Sequence, residues 1–231
     1  MITDAIKRKI KQIISVFETS SLNPKYGQVT VLPDGPGGVK QITYGAHQTT
    51  ENSHLKELLT NYVNGRGKYA ADIRPYLPKV GKYVLHSSET FKSLLRLAGN
   101  DELMQDLQES LFEKRYWLPA YQFFTVNGFV LPLSMAVIYD SYIHSGGLPS
   151  WLRNKFAEVP PAKGGDEKAY INAYVNARDQ WLEEHTNKIL RNTDYRTDVW
   201  KEQILNCNWN LASPVVVKFN STKQNSWITI S

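Results

Sequence analysis

The chain has 231 residues, with 27 Lys and Arg against 22 Asp and Glu, 12% aromatic residues and a single cysteine. This length allows one large domain or two small lobes with a sizeable core. The net charge of +5 comes from scattered basic residues, which argues against a nucleic-acid-binding protein. One cysteine excludes a disulfide framework and a zinc site built from cysteines.

Neither the interior nor the start of the chain predicts a membrane segment. The most apolar stretch, 129–139, holds 11 residues and is followed by Asp140, whereas a helix needs roughly 20 to cross a bilayer. Residues 1–11 carry basic side chains without an apolar run, so they do not resemble a signal peptide. We therefore expect no membrane insertion.

The first predicted element is an amphipathic helix over residues 3–18, which Thr3 or Asp4 can cap. It should fade before Pro24, because the residue preceding a proline is pushed out of helical geometry. Its apolar stripe consists of residues three or four positions apart: Ile6, Ile10, Ile13 and Phe17.

Two short β-prone runs follow, around residues 26–31 and 42–44. They flank the turn sequence of residues 33–38, which is rich in proline and glycine and contains Asp34. This combination predicts a β-hairpin, the only one that we expect in the chain.

The remainder predicts helices, so the fold class is mainly α, of the α+β type. A helix over 132–144 is apolar almost all round and should therefore be central and buried. After the last helix, the C-terminus should be irregular or β-like. The other predicted helices lie near 53–62, 70–85 (broken by Pro75 and Pro78), 88–98, 101–126 (with a break at Pro119), 167–190 and 195–206.

The chain has no nucleophile elbow, phosphate loop or metal-binding spacing, and its five histidines are scattered. Carboxylates are the remaining candidates for chemistry. Glu18 closes the first helix, directly after the apolar Phe17 and near the negative end of the helix dipole. Both features disfavour its charged form, as a general acid requires, although an ordinary exposed helix end is the simpler interpretation.

The second candidate is Asp34, in the predicted hairpin turn. Asp-Gly is a routine turn dipeptide, so a purely structural role is the simpler interpretation here too. Thr43, on the second predicted strand, could hold a water molecule through its hydroxyl group. Glycosidic cleavage needs such a set, with one protonated and one ionised carboxyl group.

Several stretches resemble, in chain order, the chitosanases of glycoside hydrolase family 46, and the resemblance runs nearly from end to end. The first comprises Phe17-Glu18-Thr19-Ser20-Ser21-Leu22, Tyr26, Asp34-Gly35 and Thr43-x-Gly45. The others are Tyr139-Asp140 with His144-Ser145-Gly146, then Ala162-Lys163-Gly164-Gly165-Asp166-Glu167 running on to Arg178, and finally Arg196-x-Asp198 with Asn208-x-Asn210-Leu211.

This resemblance implies a single two-lobed, lysozyme-like domain over 1–231, with a minor lobe around 24–65 and a small antiparallel sheet beside the cleft. It implies an endo-acting, inverting hydrolase of β-1,4 bonds in an amino-sugar polysaccharide. Glu18 would be the general acid, Asp34 the general base, and Thr43 would help to position the attacking water.

The resemblance also implies a buried ion network of Asp140, Arg178 and Arg196 behind the acid. Physical chemistry supports this, because a carboxylate in an apolar helix needs a cationic partner and arginine suits that role.

The turn departs from the family, whose Asp-Gly is typically followed by Arg-Gly-Tyr-Thr, because here it is longer and lacks that arginine. His54 stands where the family has a substrate-binding aspartate, and with Tyr26, His47 and Gln48 it is a candidate for substrate binding. Residues 43–48 also resemble phage-type lysozymes, and a charge of +5 suits an anionic polymer. A peptidoglycan-cleaving muramidase is therefore an alternative, and a non-catalytic carbohydrate-binding or inhibitor module is another.

Acid–base hydrolysis uses carboxyl groups and water, so we expect no metal and no cofactor. The expected partner is a polysaccharide, not a nucleic acid, and the protein should be a monomer. Since such polymers lie outside cells or in cell walls, we expect a secreted or released protein.

Overall fold

A computed structural model describes residues 2–219 and 226–231. Its helices are α1 (Asp4–Thr19), α2 (Leu55–Asn64), α3 (Ala70–Ile73), α4 (Glu89–Ala98), α5 (Glu102–Phe112), α6 (Leu118–Val126), α7 (Pro132–His144), α8 (Ser150–Arg153), α9 (Glu167–Glu183), α10 (Lys188–Arg191) and α11 (Tyr195–Leu205). Its strands are β1 (Val29–Leu32), β2 (Gln41–Tyr44), β3 (Thr49–Thr50), β4 (Val215–Phe219) and β5 (Ser226–Ile230).

The predicted class, mainly helical with small antiparallel sheets, is confirmed. Helices α1, α4, α7 and α11 begin and end close to their predicted bounds. Thr3 caps α1 by accepting a hydrogen bond from the backbone N–H of Ile6. Local capping and apolar spacing therefore suffice to define α1 and α4, whose N-terminal caps are Thr3 and Ser88.

Two predicted helices were too long, and the break in a third lies before the predicted position. The segment 167–190 is interrupted after Glu183 and resumes as α10. The segment 70–85 forms only α3 and a 3₁₀ helix, Arg74–Lys79, since two prolines remove backbone donors there. The break in 101–126 is a π-helical turn, Glu113–Trp117. Pro119 does not break the helix, because it lies in the first turn of α6, where a proline is tolerated.

The sheets also correct the prediction of a single hairpin. Strands β1, β2 and β3 form one antiparallel sheet, in which β3 was not predicted. Strands β4 and β5 form a second antiparallel pair near the C-terminus. Alternation explains β4, since Val215 and Val217 are buried while Lys218 is exposed.

The chain divides into two compact units. The first comprises Met1–Leu22 and Arg115–Ser231, and the second comprises Asn23–Lys114, which includes the segment 24–65. In the first unit α7 is central and packs against α1, α6, α9 and α11. Nine of its residues are buried, which agrees with its nearly uniform apolar sequence.

The second unit has its own hydrophobic core, formed by α2–α5 and one face of the first sheet. Ile42 and Tyr44 of β2 are fully buried in this core, and the Tyr44 hydroxyl donates to the carbonyl of Leu95 at 2.8 Å. Because side chains alternate along a strand, Gln41 and Thr43 lie on the opposite face of β2.

Within residues 2–219 and 226–231, no helix combines the length and the apolar character that a membrane span requires.

Candidate active site

Glu18 lies in the last turn of α1 in the first unit. The helix ends because Ser20 adopts the left-handed region at φ 51°, and its N–H donates to the carbonyl of Val16. Phe17 is buried, whereas the Glu18 side chain keeps 21% of its surface exposed. The helix end therefore presents this carboxyl group to solvent while its neighbour anchors the turn in the core.

The start of α11 holds this end of α1 in place. The Arg196 guanidinium donates to Glu18 Oε1 at 2.8 Å and lies 4.9 Å from the centre of the Phe17 ring. Tyr195 donates its hydroxyl to the backbone carbonyl of Phe17 at 2.9 Å. Trp200 packs edge-on against the same ring, with centroids 5.3 Å apart. The orientation of Glu18 is thus fixed by a charge-assisted hydrogen bond and by the aromatic packing beside it.

Asp140 of α7 lies behind Arg196 and is fully buried. Its Oδ1 accepts from Arg196 Nε at 2.9 Å and from Arg196 NH2 at 2.6 Å. Its Oδ2 accepts from Arg178 NH1 at 2.5 Å and from the Trp200 indole N–H at 3.0 Å. The structure therefore brings Asp140 together with both arginines that the sequence singled out.

Two buried guanidinium groups face two carboxyl groups, those of Asp140 and Glu18. Burial alone raises the pKa of Asp140, but Arg178 and Arg196 hold it well below its ordinary value. Burial lowers the pKa of Arg196, and the two carboxylates more than offset that effect and raise it. Among the described residues, Arg178 has no hydrogen-bond partner for its Nε and NH2 groups.

His144 is the last residue of α7, and its Nε2 lies 2.9 Å from the Thr193 hydroxyl. Burial lowers its pKa to about 3, with help from the nearby Arg196 and Arg178. The imidazole is therefore neutral at ordinary pH. A neutral His144 avoids adding a third positive charge to the network.

The part that Trp200 plays was not predicted from the sequence. This residue lies four positions after Arg196 on α11, and residues with that spacing share a helix face. The spacing could have indicated that both residues reach the same buried carboxylate.

In the second unit, Asp34 is exposed and lies just beyond the end of β1. The long turn after it folds back on itself, because the N–H of Gly35 donates to the carbonyl of Val39 at 3.0 Å. Gly37 and Gly38 have φ values of 69° and 79°, which other residues rarely adopt. The extra residues thus form a closed turn, and Asp34 lies immediately before it.

Gln41, at the start of β2, contacts Asp34 from the other end of that turn. Its Nε2 donates to Asp34 Oδ1 at 3.0 Å. Its Oε1 accepts from the backbone N–H of Asn52 at 2.9 Å, and only 2% of the residue is exposed. Gln41 was not predicted as a site residue, because an isolated glutamine belongs to no motif.

Thr43 lies two residues further along the same face of β2 and is buried, with 3% exposure. It pairs with Thr30 on β1 and with Thr50 on β3, so the three threonines share this face. Within the part of the chain that the structure describes, its hydroxyl has no hydrogen-bond partner. A buried hydroxyl in this state can still bind a further group.

Glu51 is a second carboxyl group near β2, but its environment differs. It is buried, its Oε2 accepts from the N–H of Ile42 at 3.0 Å, and its Oε1 accepts from the N–H of Gly81 at 3.3 Å. Both oxygens therefore hold backbone in place, which favours a structural role over a catalytic one.

Tyr26 and His47, predicted to bind substrate, meet at Glu109 of α5. The Tyr26 hydroxyl donates to Glu109 Oε1 at 3.2 Å, and His47 Nε2 lies 3.0 Å from the same oxygen. The His47 ring stacks on Phe112 with centroids 3.7 Å apart. Burial, followed by the Glu109 charge, raises the pKa of Tyr26 to about 12. Glu109 was missed because it lies far away in sequence.

The other two predicted binding residues lie outside this cluster. Gln48, at φ 51°, donates its side-chain amide to the carbonyl of Gly45 at 3.0 Å. His54 precedes α2, and its Nδ1 lies 3.6 Å from a carboxylate oxygen of Glu57. The described ranges contain no group of three or more His, Cys, Asp or Glu side chains that could hold a metal ion.

Comparison with known proteins points to one family. The family model described as Glycosyl hydrolase family 46 matches residues 12–215. A chitosanase of Bacillus subtilis (strain 168) is 26% identical over 234 residues, covering 93% of this chain and 82% of the relative. A chitosanase of Streptomyces sp. (strain N174) is 27% identical over 190 residues, covering 76% and 66%.

Solved structures show the same fold. A mutant chitosanase from Bacillus subtilis MY002 complexed with 6 GlcN matches with a TM-score of 0.84 and 24% identity over 100% of both chains. The Gynuella sunshinyii GH46 chitosanase in complex with chitotetraose matches with a TM-score of 0.81 and 22% identity, again over 100% of both.

Proposed function

The chain belongs to glycosyl hydrolase family 46, and we propose that it cleaves internal β-1,4 bonds of a chitosan-like polysaccharide with inversion at the anomeric carbon. The family match spans Glu18, Asp34 and Thr43 together with the buried ion network. It makes the chain a glycosidase rather than a non-catalytic module.

The observation that carries the proposal is the setting of Glu18. This carboxyl group is partly exposed at a helix end and is oriented by Arg196, which Asp140 holds from behind. We assign Glu18 as the general acid that gives its proton to the glycosidic oxygen, so that the leaving sugar departs as an alcohol. Arg196 and Asp140 do not touch substrate in this scheme and act by positioning Glu18.

Asp34 is proposed as the general base. Its carboxylate takes a proton from a water molecule, whose oxygen forms the new bond to the anomeric carbon while the glycosidic bond breaks. The Thr43 hydroxyl, on the strand face that Gln41 shares, is proposed to hold that water. Each turnover leaves Glu18 ionised and Asp34 protonated, and solvent restores both.

The substrate assignment draws on the relatives and on the charges near the predicted binding residues. The two matched structures contain 6 GlcN and chitotetraose. In this chain Glu109 lies beside Tyr26 and His47, and Glu57 lies beside His54. These carboxylates are suited to the ammonium groups of polyglucosamine. The net charge of +5 favours the alternative, an anionic cell-wall polymer.

We also propose that the protein acts as a monomer outside the cell or at a cell wall, where such polymers occur. Sedimentation of the purified protein tests the first part, since a dimer would contradict it.

The test compares soluble chitosan with purified bacterial cell walls as substrates. With chitosan, viscosity should fall before many reducing ends appear, and NMR should show the inverted anomer first. Glu18→Gln should lose at least roughly a thousandfold in kcat while its circular dichroism and Tm stay close to the parent values. Glu183→Gln, at the exposed end of α9, is the matched control and should keep full activity.

Normal turnover by Glu18→Gln would contradict the mechanism, and release of products from cell walls alone would favour the muramidase.

Asp34→Asn should lose roughly a hundredfold or more in kcat, whereas the exposed Asp72→Asn should behave as the parent. An active Asp34→Asn enzyme would remove Asp34 from the mechanism and leave the assignment of Glu18 intact.

A further inference from the structure

We propose that Gln41 is the positioning residue for the general base, and that its uncharged side-chain amide fixes the Asp34 carboxylate relative to the Thr43 hydroxyl. This inference rests on the proposed function, because it takes Asp34 as the base. It adds a residue that neither the sequence motifs nor the family match singled out.

The direction of the Gln41 amide is determined by its surroundings. The backbone N–H of Asn52 can only donate, so the Gln41 atom that it contacts, at 2.9 Å, must be the carbonyl oxygen Oε1. The NH2 group therefore faces Asp34 Oδ1, at 3.0 Å. With 2% exposure, the amide has little room to rotate away.

The backbone gives this contact its precision. Gln41 pairs with Leu32 across the β1–β2 ladder, and the turn between them is closed by the bond from Gly35 to Val39. The Gln41 end of the hydrogen bond is therefore held by the β1–β2 ladder, and the Asp34 end lies next to the closed turn. Thr43 is two residues away on the same strand face, so one strand sets both the base and the hydroxyl.

A neutral donor suits a base better than a cation would. An amide orients one carboxylate oxygen without adding a positive charge, and a positive charge beside a carboxylate would weaken it as a base. This differs from Glu18, which a guanidinium orients.

Two substitutions separate positioning from stability. Gln41→Met keeps the volume and loses both hydrogen bonds. Gln41→Glu keeps an oxygen for the N–H of Asn52 and places a second carboxyl group against Asp34. Gln105→Met is the control, because Gln105 also lies in the second unit and, among the described residues, donates its amide to the backbone carbonyl of Gly99 alone.

With chitosan as substrate, Gln41→Met should lower kcat roughly tenfold to a hundredfold with little change in KM, since a displaced base affects the reaction more than binding. Gln41→Glu should lower kcat further and move the acidic limb of its pH profile to higher pH. The base must be ionised to act, and two adjacent carboxyl groups resist ionising together. Gln105→Met should match the parent in both parameters.

The proposal is overturned if both Gln41 variants keep the parent kcat and pH profile while Asp34→Asn is inactive. It is also overturned if Gln41→Glu, at an unchanged Tm, shows the parent's acidic limb. If Gln41→Met lowers the Tm, Gln41→Glu decides, because it retains the contact with Asn52. An active Asp34→Asn enzyme would instead show that the assigned base is wrong.

Discussion

The two compact units hold their candidate catalytic carboxyl groups by different means. In the first unit, Glu18 is oriented by Arg196, whose charge is balanced by the fully buried Asp140. In the second unit, Asp34 is exposed and is oriented by the neutral amide of Gln41. A group that must give up a proton is thus attached to a network of charges, and a group that must take one is attached to an amide.

This difference has consequences for stability. Buried charges are costly to remove from water and are tolerated only while each has its partner. We therefore expect the stability of the first unit to depend on Asp140 and its two arginines, whereas the polar face of β2 contains a neutral amide and hydroxyl groups. Substitutions at the two sites should accordingly separate stability from activity.

The largest effect is expected for Asp140→Asn. The variant leaves Arg178 and Arg196 buried without their shared carboxylate, and among described residues that carboxylate is the only hydrogen-bond partner of the Arg178 side chain. We expect the free energy of unfolding to fall by about 3–5 kcal/mol. Urea or thermal unfolding followed by circular dichroism measures this.

Glu183→Gln is the control for that measurement, since it removes an exposed carboxylate from α9 in the same unit. Its unfolding free energy should stay within about 0.5 kcal/mol of the parent value. If Asp140→Asn were equally mild, the ion network would not be a stabilising element of the first unit.

The next effect concerns pH and His144. Burial, then Arg196 and Arg178, lower its pKa from 6.5 to about 3, so the unfolded chain binds a proton that the folded chain does not. Stability is therefore full above pH 6.5 and decreases as the pH falls toward 3. At pH 5 this group should cost about 1–2 kcal/mol relative to pH 7. His144→Gln, measured at both pH values, should remove that part of the decrease; an unchanged pH dependence would contradict the assignment.

Much of the site around Glu18 in the first unit could be predicted, because the sequence itself indicates its main interactions. A carboxylate at position 140 within an apolar helix requires a cation, whatever the fold. The family resemblance then pointed to Arg178 and Arg196. Glu18 follows a regular apolar stripe, so its place at the end of α1 was also predictable.

The site around Asp34 in the second unit was less predictable, because it depends on contacts that no local sequence pattern indicates. Gln41 and Glu109 act through partners that a turn or a different helix brings to them, and neither residue type is distinctive. The strand β3 has two residues and gives no periodic signal. Trp200 was recognisable as an apolar residue, but not as a hydrogen-bond donor to Asp140.

The smallest effect on stability is expected for Thr43→Val, which removes the hydroxyl and keeps the shape of the side chain. Since this buried hydroxyl has no hydrogen-bond partner among the described residues, the free energy of unfolding should change by less than about 0.5 kcal/mol. If the hydroxyl positions the attacking water, kcat should nevertheless fall roughly tenfold to a hundredfold. Denaturation and turnover of chitosan, measured on the same preparation, test both parts.

Thr30→Val provides the matched control, because Thr30 pairs with Thr43 across the ladder and its hydroxyl also lacks a partner in the ranges 2–219 and 226–231. It should leave both stability and kcat unchanged. Equal losses of activity in the two variants would mean that the polar face of β2 matters as a whole. A loss confined to Thr43→Val would assign the effect to the Thr43 hydroxyl group, in a unit whose folding does not depend on it.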